Sequence, residues 1–401
     1  MKRLFLLIFS AVAMASASAA PGDFDLSFNG SGFATTAIGG TATAKGIALQ
    51  ADGKMVVAGY ATIGSIYQPA LARYNTNGSL DTSFGVSGVV LTNLGNSGAF
   101  LEDVTIQADG KIIVAGTTYT TQGTAFLVMR YDVNGSLDSS FDGDGVSIVN
   151  VTPYDDVAFS VAIQSDGKIV AGGYARGASP VISFAAVRYN TDGSLDSNFG
   201  SAGKLTLGVG GYQSDTGLAM NLQSDNKILM TGYCKVINTD RLGIARLLPI
   251  GTMDSNFDGD GIVISSIGSP GGDIPQSIKV QNDGKIVVGG YTYQGGTTNQ
   301  DLFVARFLPN GSPDSSFDGD GKVITTLTTV NDYGFDLSFQ KNGKIFIVGS
   351  SGQSANCAVV RYHANGSLDT TFAGTGIKTL GLSSGSEQFY STAITPDGRI
   401  V

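Results

Sequence analysis

The hydrophobic pattern of the chain changes character at regular intervals. In Asp103-Val-Thr-Ile-Gln107 apolar and polar residues alternate, the period of a strand with one buried face. Just after Asp109-Gly-Lys111 the chain becomes continuously apolar, Ile112-Ile-Val-Ala115, as a strand covered on both faces does. The Asp-Gly between them predicts a two-residue hairpin, because a type I′ turn needs positive φ at both central positions. The same turn is written as Asp52-Gly-Lys, Asp166-Gly-Lys, Asp225-Asn-Lys, Asp283-Gly-Lys, Asn342-Gly-Lys and Asp397-Gly-Arg, at intervals of 55 to 59 residues.

A longer signature marks each interval again. Arg73, Arg130, Arg188, Arg246, Arg306 and Arg361 are each followed 11 positions later by Phe, at Phe84, Phe141, Phe199, Phe257, Phe317 and Phe372, and a Gly stands 4 positions beyond each Phe. A half copy opens the repeats at Asp25, Phe28 and Gly32. The copy built on Arg130, Asp138, Phe141 and Gly145 stands for the rest: Asp138 is expected to cap a short helical turn and to pair with a signature Arg, and Phe141 to wedge between repeats. Each period divides into four strands: one after the signature Gly (Val146-Ser-Ile-Val149), one into the Asp-Gly turn, one out of it, and one ending at the signature Arg (Phe126-Leu-Val-Met-Arg130). On this division the signature carries the chain from the last strand of one blade to the first of the next.

Four strands in about 57 residues make one propeller blade. The period is too long for a coil of β-helix and marginal for an independent sandwich, whereas radially packed sheets bury both faces of every blade. The expected fold is therefore an all-β propeller of four-stranded blades, about seven units, six complete and a partial seventh. The combined pattern, Leu-Asp-x-x-Phe, Gly-x-Gly, Gln-x-Asp-Gly-Lys-Ile and Arg-Tyr-x-x-x-Gly-Ser-Leu-Asp, resembles the delta-60 repeat β-propeller family of bacterial exported proteins from Asp23 to Val401. The resemblance implies a propeller, usually of about seven blades, and no known activity.

The ends of the chain refine this picture. Residues 1–19 carry Lys2 and Arg3, an apolar run and small residues ending at Ala19, which predicts a secretory signal peptide, leaving 20–401 as one domain. The expected location is secreted, periplasmic or at the cell surface, with no transmembrane segment. The chain stops at Ile400-Val401, within the strand after the seventh turn, so the seventh unit is expected to be incomplete, the sequence a fragment, and the chain part of a larger surface protein. Cys234 and Cys357 fall at different repeat positions and are expected to be free, buried thiols.

Composition narrows the chemistry. The net charge is −9, and of 24 Lys and Arg most belong to the signature or to the turns, so no basic stripe is left to follow a nucleic-acid backbone. Asp142 with Asp144, Asp258 with Asp260 and Asp318 with Asp320 form carboxylate-rich loops that could hold calcium, no other cofactor being expected. The matching loops Asn29-Gly-Ser-Gly and Ala373-Gly-Thr-Gly turn without acids, which favours a turn role. Asp156, Asp215, Asp273, Asp332 and Glu387 share one slot, ten residues before the turn, and could line one face as an acidic binding ring, or shape the loop ahead of their strand.

His363 is the sole histidine and sits in a slot filled elsewhere by Asn75, Asp132, Asn190, Leu248 and Leu308, so no unique catalytic constellation stands out. Tyr60, Tyr67, Tyr119, Tyr174, Tyr233, Tyr291 and Tyr293 fall where repeat length varies and are placed on loops, a plausible binding face. These features point to a binding or scaffold module for a protein or glycan ligand, with no catalytic role. The alternative is a propeller hydrolase or lyase acting on an extracellular polymer.

Overall fold

The computed structural model describes residues 5–8, 20–95, 98–178, 181–211, 214–268, 271–294, 299–352, 356–382 and 387–401, the first of these by backbone alone. Most of the expected signal peptide lies outside the described residues. Its Phe5–Ile8 pairs antiparallel with Phe33–Thr36.

The fold is an all-β, six-bladed propeller of four-stranded antiparallel blades, with the strands of each blade in chain order. Blade 1 consists of Ala42–Leu49, Met55–Ile63, Ile66–Tyr74 and Val89–Leu91, and blade 2 of Ala99–Ile106, Ile112–Thr120, Gly123–Tyr131 and Val146–Val149. The third is Asp156–Ile163, Ile169–Arg176, Ile182–Tyr189 and Lys204–Leu207. Blade 4 is Asp215–Leu222, Ile228–Val236, Thr239–Leu247 and Ile262–Ser265; blade 5 is Asp273–Val280, Ile286–Tyr293, Gln300–Phe307 and Lys322–Thr325. Blade 6 is Asp332–Phe339, Ile345–Ser351, Asn356–Tyr362 and Ile377–Leu380. The chain divides into two compact units, one of Met1–Gly177, Ala186–Leu205 and Ala393–Val401, the other of Ala178–Ala185 and Thr206–Thr392.

This arrangement corrects the blade boundaries expected from sequence. Val146–Val149, the strand after the signature Gly, is the fourth strand of blade 2 and pairs with Gly123–Tyr131, with Val146 opposite Met129. The signature therefore links the third and fourth strands of one blade. The crossing to the next blade is the short loop between Val149 and Asp156. The reversal is made inside the signature, where Leu137 bridges back to Tyr131 and the Asp138 N–H donates to the Arg130 carbonyl at 2.9 Å. Asp138 caps a hydrogen-bonded turn rather than a helical one: its Oδ1 accepts from the Ser140 N–H, and the Phe141 N–H donates to the Asp138 carbonyl. Gly145 closes the turn at φ 89°, a conformation that strains any L side chain. Among the described residues the seventh unit forms no blade of its own. Its turn closes with the Thr395 N–H on the Arg399 carbonyl, and one isolated bridge joins Ile394 to Ile400.

The core lies between blades. Val56, Ala58 and Leu71 of blade 1 pack with the signature Phe84 against Ala99, Leu101, Ile112, Val114, Leu127 and Met129 of blade 2. Blades 4 and 5 meet in the same way around Phe257, and blades 5 and 6 around Phe317. The second strands open on apolar residues and are buried over their first five residues in blades 1 and 2, as strands covered on both faces must be.

Candidate functional site

Each first strand carries a bulge opposite a glycine of the second strand. In blade 2 the register shifts between Leu101 and Asp103, leaving Glu102 unpaired, and a Cβ on Gly116 would lie 1.9 Å from the Phe100 carbonyl oxygen. Only glycine permits that approach. Gly59, Gly173, Gly232, Gly290 and Gly349 stand in equivalent positions, each with a first-strand carbonyl within 2.1 Å of its would-be Cβ. The second strands run on past these glycines, so Tyr60, Tyr119, Tyr174, Tyr233, Tyr291 and Tyr293 lie on second strands and Tyr67 on a third, none of them on the loops where sequence length variation placed them. In blades 1, 2 and 4 only two residues join the second strand to the third, which leaves little loop.

In the first unit this geometry gathers four rings. Phe100 lies 4.7 Å from Tyr67, 5.0 Å from Tyr60 and 6.0 Å from Tyr119, centroid to centroid. Tyr60 meets Tyr67 edge-on at 5.6 Å. Tyr67 and Tyr119 remain 42% and 50% exposed, so the cluster presents aromatic surface to solvent on a rigid support. The second unit holds a separate cluster in which Tyr291 meets Tyr333 at 5.0 Å, Tyr333 stacks on Phe335 at 6.0 Å, and Phe335 meets Tyr390 at 5.3 Å.

The bulge slot is the chemical variable of the first strands. In blades 1 and 2 it holds Lys45 and Glu102, whose side chains meet at 3.5 Å. Burial pushes the Glu102 carboxyl above its usual range, although Lys45 pulls the other way. Sequence reading overlooked this pair. A signal existed, since in each of the six blades the slot stands seven residues before the turn, at Lys45, Glu102, Phe159, Leu218, Gln276 and Phe335.

The expected acidic ring is built differently from an open binding face. Asp156, Asp215, Asp273 and Asp332 begin the first strands of their blades and are buried. Each carboxylate turns onto the loop that enters its strand. Asp156 accepts from the Val151 N–H at 2.7 Å and the Thr152 N–H at 2.9 Å, Asp215 from Val209 and Gly210, Asp273 from Ile267 and Gly268, and Asp332 from Leu327 and Thr328. Glu387 accepts from the Leu382 N–H. These acids staple the blade-to-blade loops.

The candidate calcium loops have an equally local geometry. Asp144, Asp260 and Asp320 each accept the N–H two residues ahead, at 2.9, 2.8 and 3.1 Å. Asp142, Asp258 and Asp318 stand at φ 51°, 50° and 49°, the left-handed conformation also held by Asn29, Gly85, Gly200 and Ala373 in this slot. Their N–H groups donate to the Asn-Gly or Asp-Gly turn of the following repeat, Asp142 to the Asp192 carbonyl at 2.7 Å. A backbone demand thus explains Asp at this position. Among the described residues no three acids, histidines or cysteines gather as a metal site.

The signature closes each blade as a charge cluster. Arg130 Nε donates to Asp138 at 2.7 Å, Nη2 to Ser140 at 2.9 Å and Nη1 to the Thr191 carbonyl at 2.5 Å, and its guanidinium lies 4.9 Å over the Phe141 ring. Lys111, from the Asp-Gly-Lys turn, reaches the same Asp138 at 2.9 Å. His363 is half exposed, 3.5 Å from Asp369.

A family model for a β-propeller domain of unknown function, DUF5122, matches residues 50–84, 107–141, 164–199, 223–257, 281–317 and 340–372. The chain belongs to the DUF5122 β-propeller family. Every matched DUF5122 segment runs from just before the turn to the signature Phe, across the second and third strands and most of the signature. No curated protein matches the chain. Among solved structures, the polysaccharide lyase Uly1 is similar at 12% identity and a TM-score of 0.52, over 100% of this chain and 98% of that one. Drosophila Semaphorin 2a is similar at 11% identity and a TM-score of 0.52, over 90% and 73%. A gluconolactonase from Xanthomonas campestris is similar at 12% identity and a TM-score of 0.39, over 76% and 82%. At these identities the likeness is one of fold. Among the described residues no helix is long and apolar enough to cross a membrane.

Proposed function

We propose that the chain is an exported binding or scaffold module of the delta-60 repeat kind, and that the Tyr60, Tyr67, Phe100 and Tyr119 cluster takes the ligand. The observation that carries this reading is the half-exposure of Tyr67 and Tyr119 on rings packed against Phe100, Tyr67 tilted and Tyr119 edge-on. Rigid aromatic faces with polar tips suit the C–H faces of sugars and the side chains of a peptide, and they lose little entropy on binding. A glycan and peptide binding screen on the 401-residue chain tests it. The expected result is a ligand whose affinity falls about tenfold or more in Tyr67→Ala and Tyr119→Ala; hits that bind both variants unchanged would remove the cluster from the reading.

A second reading, a hydrolase or lyase acting on an extracellular polymer, is favoured by Glu102, whose raised carboxyl beside Lys45 is suited to hold a proton. Polymer cleavage that survives Glu102→Gln would refute this role.

A further inference from the structure

One position of the third strand changes its chemistry from blade to blade. Five residues before each signature arginine stand Gln68, Ala125, Ser183, Arg241, Asp301 and Asn356. In blades 4 and 5 this slot lies where the chain leaves the fourth strand for the next blade. Leu242, just after Arg241, pairs with Ser265, and Leu302, just after Asp301, pairs with Thr325, each the last residue of its fourth strand. The acid that begins the next blade closes the same place. Between blades 4 and 5 slot and acid are oppositely charged, with Arg241 Nη1 3.8 Å from Asp273.

Between blades 5 and 6 the slot holds Asp301 and the acid is Asp332, so two carboxyls meet where the preceding interface has an acid and a guanidinium. All four residues belong to the second unit. Asp301 is 4% exposed, and its Oδ1 is buried without a hydrogen-bond partner among the described residues. Burial pushes the Asp301 carboxyl above its usual range; a hydrogen bond from the Thr326 hydroxyl opposes this, and the charge of Asp332 adds to it. Asp332 Oδ2 accepts from the Leu327 and Thr328 N–H groups at 2.7 and 2.8 Å. Its Oδ1 is less crowded, taking the Thr328 hydroxyl at 2.9 Å and the Gly352 N–H only at 3.3 Å.

We propose that Asp301 and Asp332 form a calcium site, the ion supplying between blades 5 and 6 the positive charge that Arg241 supplies between blades 4 and 5. Burying one carboxylate beside another is costly unless a cation offsets them. The ligands on offer are all oxygens: Asp301 Oδ1, Asp332 Oδ1 and the hydroxyls of Thr326 and Thr328. Such a set suits a hard cation, where zinc and copper favour nitrogen and sulfur. Calcium accepts an irregular, partly hydrated shell of this kind, whereas magnesium demands a near-regular octahedron. Thr326 is exposed, so ion and water reach the place from solvent.

The test is terbium luminescence on the 401-residue chain, with calcium as competitor. The chain has no Trp, and Tyr333 follows Asp332 directly, so terbium held here is excited through tyrosine. The expected result is saturable emission that calcium displaces, with affinity about tenfold or more weaker in Asp301→Asn. Asp144→Asn, which removes an acid from one of the turn loops, should leave it unchanged. Melting curves give an independent arm. Calcium should raise the melting temperature of the parent chain, while Asp301→Arg, which copies Arg241, should melt higher than the parent in chelator and no longer respond to calcium. Absence of saturable emission that calcium displaces, or an Asp301→Asn chain that binds and responds as the parent does, would overturn the proposal. The titration of the parent chain needs no variant, so it holds even if a substitution at Asp301 disturbs folding.

Discussion

Arg130 is buried, and burying a cation is costly unless carboxylate, dipoles and ring replace its water. Asp138 supplies the carboxylate, and its environment fixes its protonation. Burial alone would raise its pKa, but donation from Lys111 and Ser140 and the charge of Arg130 outweigh this and hold it well below the usual carboxylate range. Asp81, Asp196, Asp254, Asp314 and Asp369 are lowered in the same way. A carboxyl lowered in the folded state stabilises it fully above the unfolded value, about 3.9, and loses that contribution as pH falls toward the folded value. Thermal stability should therefore drop steeply below about pH 4. Asp138→Asn should cost about 3 kcal/mol at pH 7, since it leaves a buried guanidinium underpaired, and the deficit should shrink toward pH 2. Melting curves of both proteins between pH 2 and 7 check this; parallel curves would mean that Asp138 contributes nothing through its charge.

At the scale of strands and turns, the Asp-Gly hairpins and the apolar second strands were legible because a two-residue turn and a two-sided burial each leave a local mark. The phase of the blade was not. Both links to the fourth strand are antiparallel-compatible, and the short one, Val149 to Asp156, looks like a hairpin although it crosses between blades, while the long signature folds back on its own sheet through Leu137. The bulges were hidden for another reason: an extra residue leaves the alternation looking merely imperfect, and its partner, a glycine inside an apolar run, looks like a strand end. That partnership is testable by comparing two glycines. Gly116→Ala puts a methyl 1.9 Å from a backbone oxygen that cannot step aside, and should cost about 3 kcal/mol. Gly143→Ala faces open space at φ 89° and should cost only the left-handed penalty of about 1 kcal/mol. Urea denaturation of both variants measures the difference, and equal midpoints would refute the steric role of the bulge glycines.

At the scale of the whole chain, stability is distributed over contacts between consecutive blades, the expected behaviour of a repeat architecture in which each unit buries its faces against its neighbours. The ties are doubled. Apolar packing around a signature Phe joins blades 1 and 2, and a hydrogen bond of 2.6 Å links the hydroxyl of Tyr131, next to the signature Arg130 of blade 2, with that of Thr92 just past the last strand of blade 1. The recurrence of the Phe at a fixed distance from Arg was plain in the sequence, and so was a wedge between repeats; which strands it joins is given by the place of Phe84 among side chains of blades 1 and 2. Phe84→Ala removes a fully buried ring and should cost about 3–5 kcal/mol. Because coupling in a repeat runs from neighbour to neighbour, that loss should be local first. Native-state hydrogen exchange should show faster exchange in Met55–Ile63 and Ile112–Thr120, the second strands that Phe84 helps to cover, while Ile286–Tyr293 of the second unit keeps its protection. The mirror variant, Phe317→Ala, should do the reverse, exposing blades 5 and 6 and sparing blades 1 and 2. Loss of protection spread evenly over all six blades in both variants would instead show that the chain opens as one cooperative body, with no stability assignable to single blade interfaces.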